Sequence, residues 1–186
     1  MQPTQMRWLR SAALGLTVLS LIGAMSPSLK ADEMLIFGDI AGLSCQGAAD
    51  KTFPGFAVIT FTFGDTIPVI PVTSGGGGGG GIAIGKPTFP DISVVKGLDD
   101  CTPLLFGGVA QGTRFKTASL TVVPKGSKVA VLLVQLSDVI ITSDGFTEGA
   151  AKELDEVITL FYEKITITHI PSGKTFTFDI RTGKAS

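Results

Sequence analysis

Hydrophobic and polar residues alternate most regularly over residues 117–123, in the middle of the chain. Ala118 and Leu120 fall on one face of this segment, and that period of two is typical of a half-buried strand. Residues 124–127, Pro-Lys-Gly-Ser, suit a tight reversal. Residues 129–136 are then apolar on both faces, as expected for a strand that is covered on both sides. The pattern predicts a long antiparallel hairpin in the middle of a sheet.

Further apolar runs predict five more strands, at residues 34–40, 56–63, 88–95, 155–168 and 175–180. Residues 99–112 predict one brief helix, in which Asp100 or Thr102 can serve as the cap and Gly112 can end the last turn. Residues 143–151 read as a polar loop. The chain is therefore predicted to be mainly β, with one short helix lying over the barrel or sheet.

The first 31 residues have the pattern of a secretory signal peptide. Arg7 and Arg10 precede an apolar core at residues 11–25, which falls short of the roughly 18 residues that a spanning helix needs. An uncleaved membrane anchor is the alternative. Small residues before Asp32 predict cleavage after Ala31, which would make the protein secreted or periplasmic.

Residues 32–186 are long enough for one domain and for a sizeable core. The whole chain has 15 Lys and Arg against 16 Asp and Glu, and the signal segment carries only basic charges. The mature chain is therefore acidic and has no basic cluster, which argues against nucleic acid as a partner. No membrane association is predicted once the signal is removed.

Two cysteines, Cys45 and Cys101, are compatible with a disulfide in an exported protein, and two buried free thiols are the alternative. A metal site is not indicated, because these cysteines and the single His169 have no ligand-pair spacing.

Seven consecutive glycines lie within residues 74–85, which are predicted to form a glycine-rich loop. Residues 80–86 match the phosphate-binding pattern G-x-x-x-x-G-K. Pro87 stands where a hydroxyl residue is required and lacks the backbone N–H that a phosphate would use. No nucleotide cofactor is predicted.

Catalysis is not predicted either. The chain lacks G-x-S-x-G, and a Cys–His pair could only use His169, at a strand end. The scattered acids, which include Asp144 and Glu156, are interpreted as solvated charges that flank strands rather than as a catalytic pair.

The order of these features resembles the haemolysin-coregulated protein (Hcp) family, the tube proteins of type VI secretion systems. The resemblance covers residues 34–179. It is carried by the opening MLIFGDIAGLS, the strand ending FTFG, the glycine-rich stretch, FPDISVVKGLDDCTPLLFGGVAQG, LSDVII and LDEVITLFYEKITITH.

The resemblance implies a small antiparallel β-barrel of two sheets with one short flanking α-helix. It also implies a non-catalytic subunit of hexameric rings that stack into a hollow tube, with a spike protein or effector cargo as partners. Two features depart from the family. Leu43 stands where the family usually has an acidic residue, and the signal peptide has no place in a tube that is assembled in the cytoplasm.

Homomeric association in a closed ring is also predicted on physical grounds, and the resemblance implies that the ring is a hexamer. Residues 129–136 and 157–162 present apolar side chains on both faces, and one short helix can cover only one of them. A head-to-tail interface that closes on itself would cover the other face. The glycine-rich loop is then expected at a ring face. A secreted monomeric β-barrel binding module is the alternative function.

Overall fold

A computed structural model describes residues 33–45, 52–72, 81–149 and 152–186. Over these residues the chain forms, in order, β1 (Met34–Ile40), β2 (Phe56–Val58), β3 (Thr60–Thr62), β4 (Val69–Val72), β5 (Gly81–Ile84), β6 (Ile92–Gly97), α1 (Thr102–Ala110), β7 (Arg114–Pro124), β8 (Leu132–Glu148), β9 (Leu154–Phe161), β10 (Lys164–His169), a 3-10 turn (Ile170–Ser172), β11 (Lys174–Asp179) and β12 (Lys184–Ala185). The predicted signal segment, residues 1–31, and its cleavage point before Asp32 lie outside the described residues.

The predicted central hairpin is confirmed as the antiparallel pair β7–β8, in which Leu120 lies opposite Val134. Its second strand begins later than predicted, at Leu132, and Val129 is 64% exposed. The strand also continues to Glu148, so the predicted loop at residues 143–151 is wrong over its first six residues. These residues are polar, but pairing with β9 satisfies their backbone groups, and this outweighs their low strand propensity.

Two predicted strands are each divided in the structure. Residues 56–63 form β2 and β3, which pair with β1 and β6 respectively, on either side of Ile59. Residues 155–168 form β9 and β10, which pair with different halves of β8. Buried Tyr162 lies at this second break, where its hydroxyl donates a 3.3 Å hydrogen bond to the carbonyl oxygen of Pro90. A strand that changes partner has to bend, and the hydrophobic pattern does not record that change.

The ten strands of the main sheet are all antiparallel. One path runs β12-β11-β10-β8-β7-β1-β2, and a branch runs from β8 through β9 and β6 to β3. Backbone hydrogen bonds do not close this sheet into a barrel, because one path ends at β2, the other ends at β3, and these two strands are not paired with each other. The mainly β fold with one short helix is as predicted.

The core lies between the inward faces of these strands and helix α1. Leu105 is the fully buried contact of the helix, and Gly108 lies where an added Cβ would come within 3.1 Å of the ring of Phe115. Leu43, the departure from the family pattern, is partly buried and packs against this core. Its apolar side chain therefore has a structural role that an acidic residue could not fill.

A separate two-stranded sheet is formed by β4 and β5, with Val69 opposite Ile84. Residues 81–84 are therefore a strand, and the predicted glycine-rich loop at 74–85 is wrong over that part. Residues 74–80 lie outside the described residues. The amide of Gly85 donates to the carbonyl oxygen of Pro68 at 2.9 Å, so it is not free to bind a phosphate. In the described part of the chain, no helix is long and apolar enough to cross a membrane.

Candidate functional site

A buried ion cluster lies where β6 and β9 meet the start of α1. Lys96 of β6 pairs in register with Glu156 of β9, and neither side chain is exposed to solvent. The Lys96 Nζ lies 2.6 Å from Glu156 Oε2 and 2.8 Å from Asp99 Oδ1. It also donates to the Gly97 carbonyl oxygen at 2.8 Å and lies 5.7 Å from the centre of the Phe56 ring.

The same cluster fixes the beginning of α1. Thr102, the first helical residue, donates its hydroxyl to Glu156 Oε2 at 2.6 Å and accepts from the Asp99 amide at 3.2 Å. Asp99 Oδ1 in turn accepts from the amide of Cys101, the N-cap residue, at 2.8 Å. Cys101 provides no side-chain cap of its own. Asp99 and Thr102 therefore satisfy backbone groups at the helix start, rather than Asp100.

Asp144 of β8 extends the cluster. Burial, and next the charge of Glu156, raises the pKa of the Asp144 carboxyl from its ordinary value of 3.8 to about 6. Neither Asp144 carboxylate oxygen makes a well-formed hydrogen bond, although the Gly145 amide and the Glu156 side chain lie close enough to affect the pKa of Asp144, and Glu156 Oε1 likewise lacks a partner. The sequence interpretation of Asp144 and Glu156 as solvated charges is therefore wrong.

Sequence reasoning missed this cluster, although it left a signal. Lys96 lies on the same buried face of β6 as Ile92 and Val94. Glu156 lies on the same buried face of β9 as Ile158. A charged residue on the buried, apolar face of a strand is expected to be paired with a group of opposite charge. Lys96 and Glu156 both fall on the buried face of their strands and have opposite charges, so they could have been predicted to pair.

Cys45 and Cys101 are brought together by the fold. The structure joins them in a disulfide with their Cα atoms 5.0 Å apart, across a sequence separation of 56 residues. The bridge ties the segment after β1 to the residue that begins α1. Within the described residues neither thiol is available as a nucleophile or a metal ligand.

The remaining catalytic candidate has no catalytic surroundings. His169 is exposed at the end of β10, and its Nδ1 lies 2.8 Å from the hydroxyl of Ser172, three residues along. Over the parts of the chain that the structure describes, no group of three or more His, Cys, Asp or Glu could hold a metal ion. These residues do not form a site for acyl transfer or metal chemistry.

The outward face of the central strands is rich in hydroxyl groups. One row across β7, β8, β10 and β11 consists of Ser119, Gln135, Thr166 and Thr177. Thr166 and Thr177 are hydrogen-bonded through their side chains at 3.1 Å, and Gln135 is exposed. The prediction that residues 129–136 are apolar and covered on both faces is therefore wrong, because Gln135 is exposed and only Val134 and Leu136 of this segment are fully buried.

Large exposed apolar side chains lie away from this hydroxyl-rich face. The β4–β5 pair exposes Ile82 by 73% and Ile84 by 70%. A second set lies on α1 and the turn before it, and it consists of Leu98, Leu104 and Phe106. A third set lies at the end of the β8–β9 pair and consists of Phe146 and Leu154. Such exposure in several places favours contact with other protein surfaces.

Comparisons with known proteins agree on one group. The family model "Type VI secretion system effector, Hcp" matches residues 37–169. Hcp1 from Salmonella typhimurium has a similar structure, with a TM-score of 0.65, 15% identity, and coverage of 83% of this chain and 100% of that one.

Two further solved structures share the fold. A protein described as a type six secretion system protein has a TM-score of 0.68 and 20% identity, and covers 83% of this chain and 100% of its own. The secreted protein Hcp3 from Pseudomonas aeruginosa has a TM-score of 0.55 and 17% identity, over 79% of this chain and 98% of its own. No curated protein sequence matches this chain significantly.

Proposed function

This chain belongs to the Hcp family of type VI secretion proteins, and we propose that it is a non-catalytic structural subunit that assembles into homomeric rings. The family match, which spans most of the domain, is the observation that carries this proposal. Family resemblance favours six subunits per ring and names a spike protein or effector cargo as further partners.

The distribution of exposed apolar residues supports association and favours particular surfaces for it. The central strands present hydroxyl groups outward, so they are not the surface that needs covering. Ile82 and Ile84 of β5, and Leu104 and Phe106 of α1, are the apolar side chains that a neighbouring subunit would shield. A head-to-tail interface buries two different patches of each subunit and can close into a ring.

Light scattering on the purified protein tests the assembly. We expect a multiple of the subunit mass at tens of micromolar, and a hexamer if the family resemblance holds. Ile84→Asp introduces a charge on the β4–β5 pair and should shift the protein towards monomer without unfolding it. Thr175→Asp, on the exposed hydroxyl-rich face of β11, is the matched control and should leave the mass unchanged. A strictly monomeric wild type would favour a monomeric binding module instead.

Export by the general secretory route is the second part of the proposal. It rests on the basic and apolar pattern of residues 1–31, and a secreted or periplasmic location follows from it. An exported subunit cannot join a tube built in the cytoplasm, so its rings would form outside that compartment.

Processing of the N-terminus provides the direct measurement. Intact-mass analysis or N-terminal sequencing of protein from the native host should find a chain that begins at Asp32. Full-length protein in the cytosol would contradict export and favour the ordinary role inside a type VI machine.

A further inference from the structure

Three carboxylate oxygens in the ion cluster lack a hydrogen-bond partner although all three are buried. They are Glu156 Oε1 and both side-chain oxygens of Asp144. The Glu156 side chain is completely buried, so water cannot reach its free oxygen from outside. An unpartnered buried carboxylate oxygen is costly, and its presence calls for a bound partner.

Lys96 cannot supply that partner. Its ammonium has three donor hydrogens and already has four acceptors within reach, on Gly97, Asp99, Thr102 and Glu156. All of these contacts are made by atoms other than the three free oxygens. The three free oxygens therefore need a donor other than Lys96, and a proton on one of the acids is a donor that the cluster can hold itself.

The charges around Asp144 favour a proton. Glu156 acts on it from β9 and Lys96 from β6, and Asp99 contacts Lys96 from the turn before α1. Of the other acids on these strands, Glu148 is exposed, and the carboxylate of Asp155 lies beside Gly149. One ammonium thus faces three carboxylates, and no group of acids there could hold a metal ion among the described residues.

We propose that at mildly acidic pH Asp144 holds a proton that it donates to the free oxygen of Glu156, and that this proton keeps Lys96 bound to the residues that begin helix α1. The protonated carboxyl of Asp144 donates to Glu156 Oε1, which gives a partner to two of the three unpaired oxygens. When the proton leaves, a second negative charge beside Glu156 competes for Lys96. The contacts of Lys96 with Asp99 and Thr102 then weaken, and the first turn of α1 opens more often. The cluster is a pH-sensitive switch that is independent of ring assembly.

The direction of the pH dependence follows from the pKa of Asp144. The folded protein binds this proton more tightly than the unfolded chain does, because the pKa is about 6 in the fold and 3.8 ordinarily. The contribution of this proton to stability is therefore present at low pH and is lost as the pH rises through about 6. Stability should decline over that range, which is opposite to the usual behaviour of a paired carboxylate.

Two variants of the full chain, compared with the wild type as thermal melts, test the proposal. Asp144→Asn removes the titration while keeping the size and a donor group, so it should melt roughly 2–4 °C above the wild type near pH 8 and no higher near pH 4. Asp138→Asn is the control on the same strand, since Asp138 is exposed and Asn tolerates its positive φ of 55°. It should show the wild-type pH dependence. A pH dependence in Asp144→Asn that equals that of the wild type would overturn the proposal.

A measurement on the unmodified protein keeps the test independent of any variant. The side-chain carboxyl carbon of Asp144, followed by NMR, should titrate near pH 6, and titration in the ordinary range of Asp would overturn the proposal. The protection of the Leu104 and Leu105 amides, which donate to the Cys101 carbonyl oxygen, should fall over the same pH range. Protection that is independent of pH would show that the proton does not control the helix start.

Discussion

Replacing Lys96 with methionine is expected to lower the free energy of unfolding by roughly 3–5 kcal/mol. The substitution keeps much of the apolar stem but removes the ammonium that lies 2.6 Å from Glu156 Oε2. Glu156 is then left without its cation in a completely buried position. It either stays ionised at a high cost or takes up a proton on folding. Thr102 and Asp99 also lose a shared partner at the start of α1.

Urea denaturation measures this loss of stability, and two further variants show whether it comes from the unpaired charge of Glu156. Lys96→Met combined with Glu156→Leu removes both charges and should recover most of the lost stability, because a buried pair is close in energy to an apolar pair of similar volume. Lys125→Met breaks the exposed pair with Glu33 and should cost less than about 1 kcal/mol. A loss at Lys96 no greater than the loss at Lys125 would mean that Glu156 finds another partner.

Reducing the bridge between Cys45 and Cys101 is expected to destabilise the protein by about 4 kcal/mol in the chain-entropy account. The bridge closes a loop of 56 residues, which restricts the unfolded chain strongly. It also holds Cys101, which is buried and precedes the first turn of α1. Reductant should therefore lower the melting temperature markedly.

Thiol labelling under denaturing conditions shows whether the exported protein carries the bridge. No reactive thiol should appear before reduction and two should appear after it. A Cys45→Ala, Cys101→Ala variant is the matched control, since its melting temperature should not respond to reductant and should lie close to that of the reduced wild type. Two reactive thiols in protein taken directly from the native host would refute the bridge.

Much of the secondary structure could be predicted from local pattern alone. Alternation around Leu120 marks β7, the Pro-Lys-Gly-Ser segment marks the turn after it, and Gly112 marks the end of the helix region, where its φ is +60°. The family resemblance could also be recognised, because the order of short motifs survives where overall identity is low. These features depend on residues close together in the chain, which a linear pattern records.

Errors arose where a strand changes its partner. Ile59 and Tyr162 lie inside segments that were each predicted as one strand, and the residue pattern of those segments does not show that the pairing partners differ on the two sides. Residues 143–148 were predicted as a loop because they are polar, yet β9 folds back along them and satisfies their backbone. The apolar run at 129–136 was assigned two covered faces, but Gln135 and its threonine neighbours show that one face is open to solvent.

The sequence by itself determined the fold class, the helix and the family, since each of these follows from local order or composition. Only the tertiary structure decided that Lys96 meets Glu156 across sixty residues, that Asp144 joins them, and that β5 and α1 carry exposed apolar side chains. The physical reason is that burial and charge pairing depend on distances through space, which strand order and register set, and which the hydrophobic pattern of a single strand does not contain.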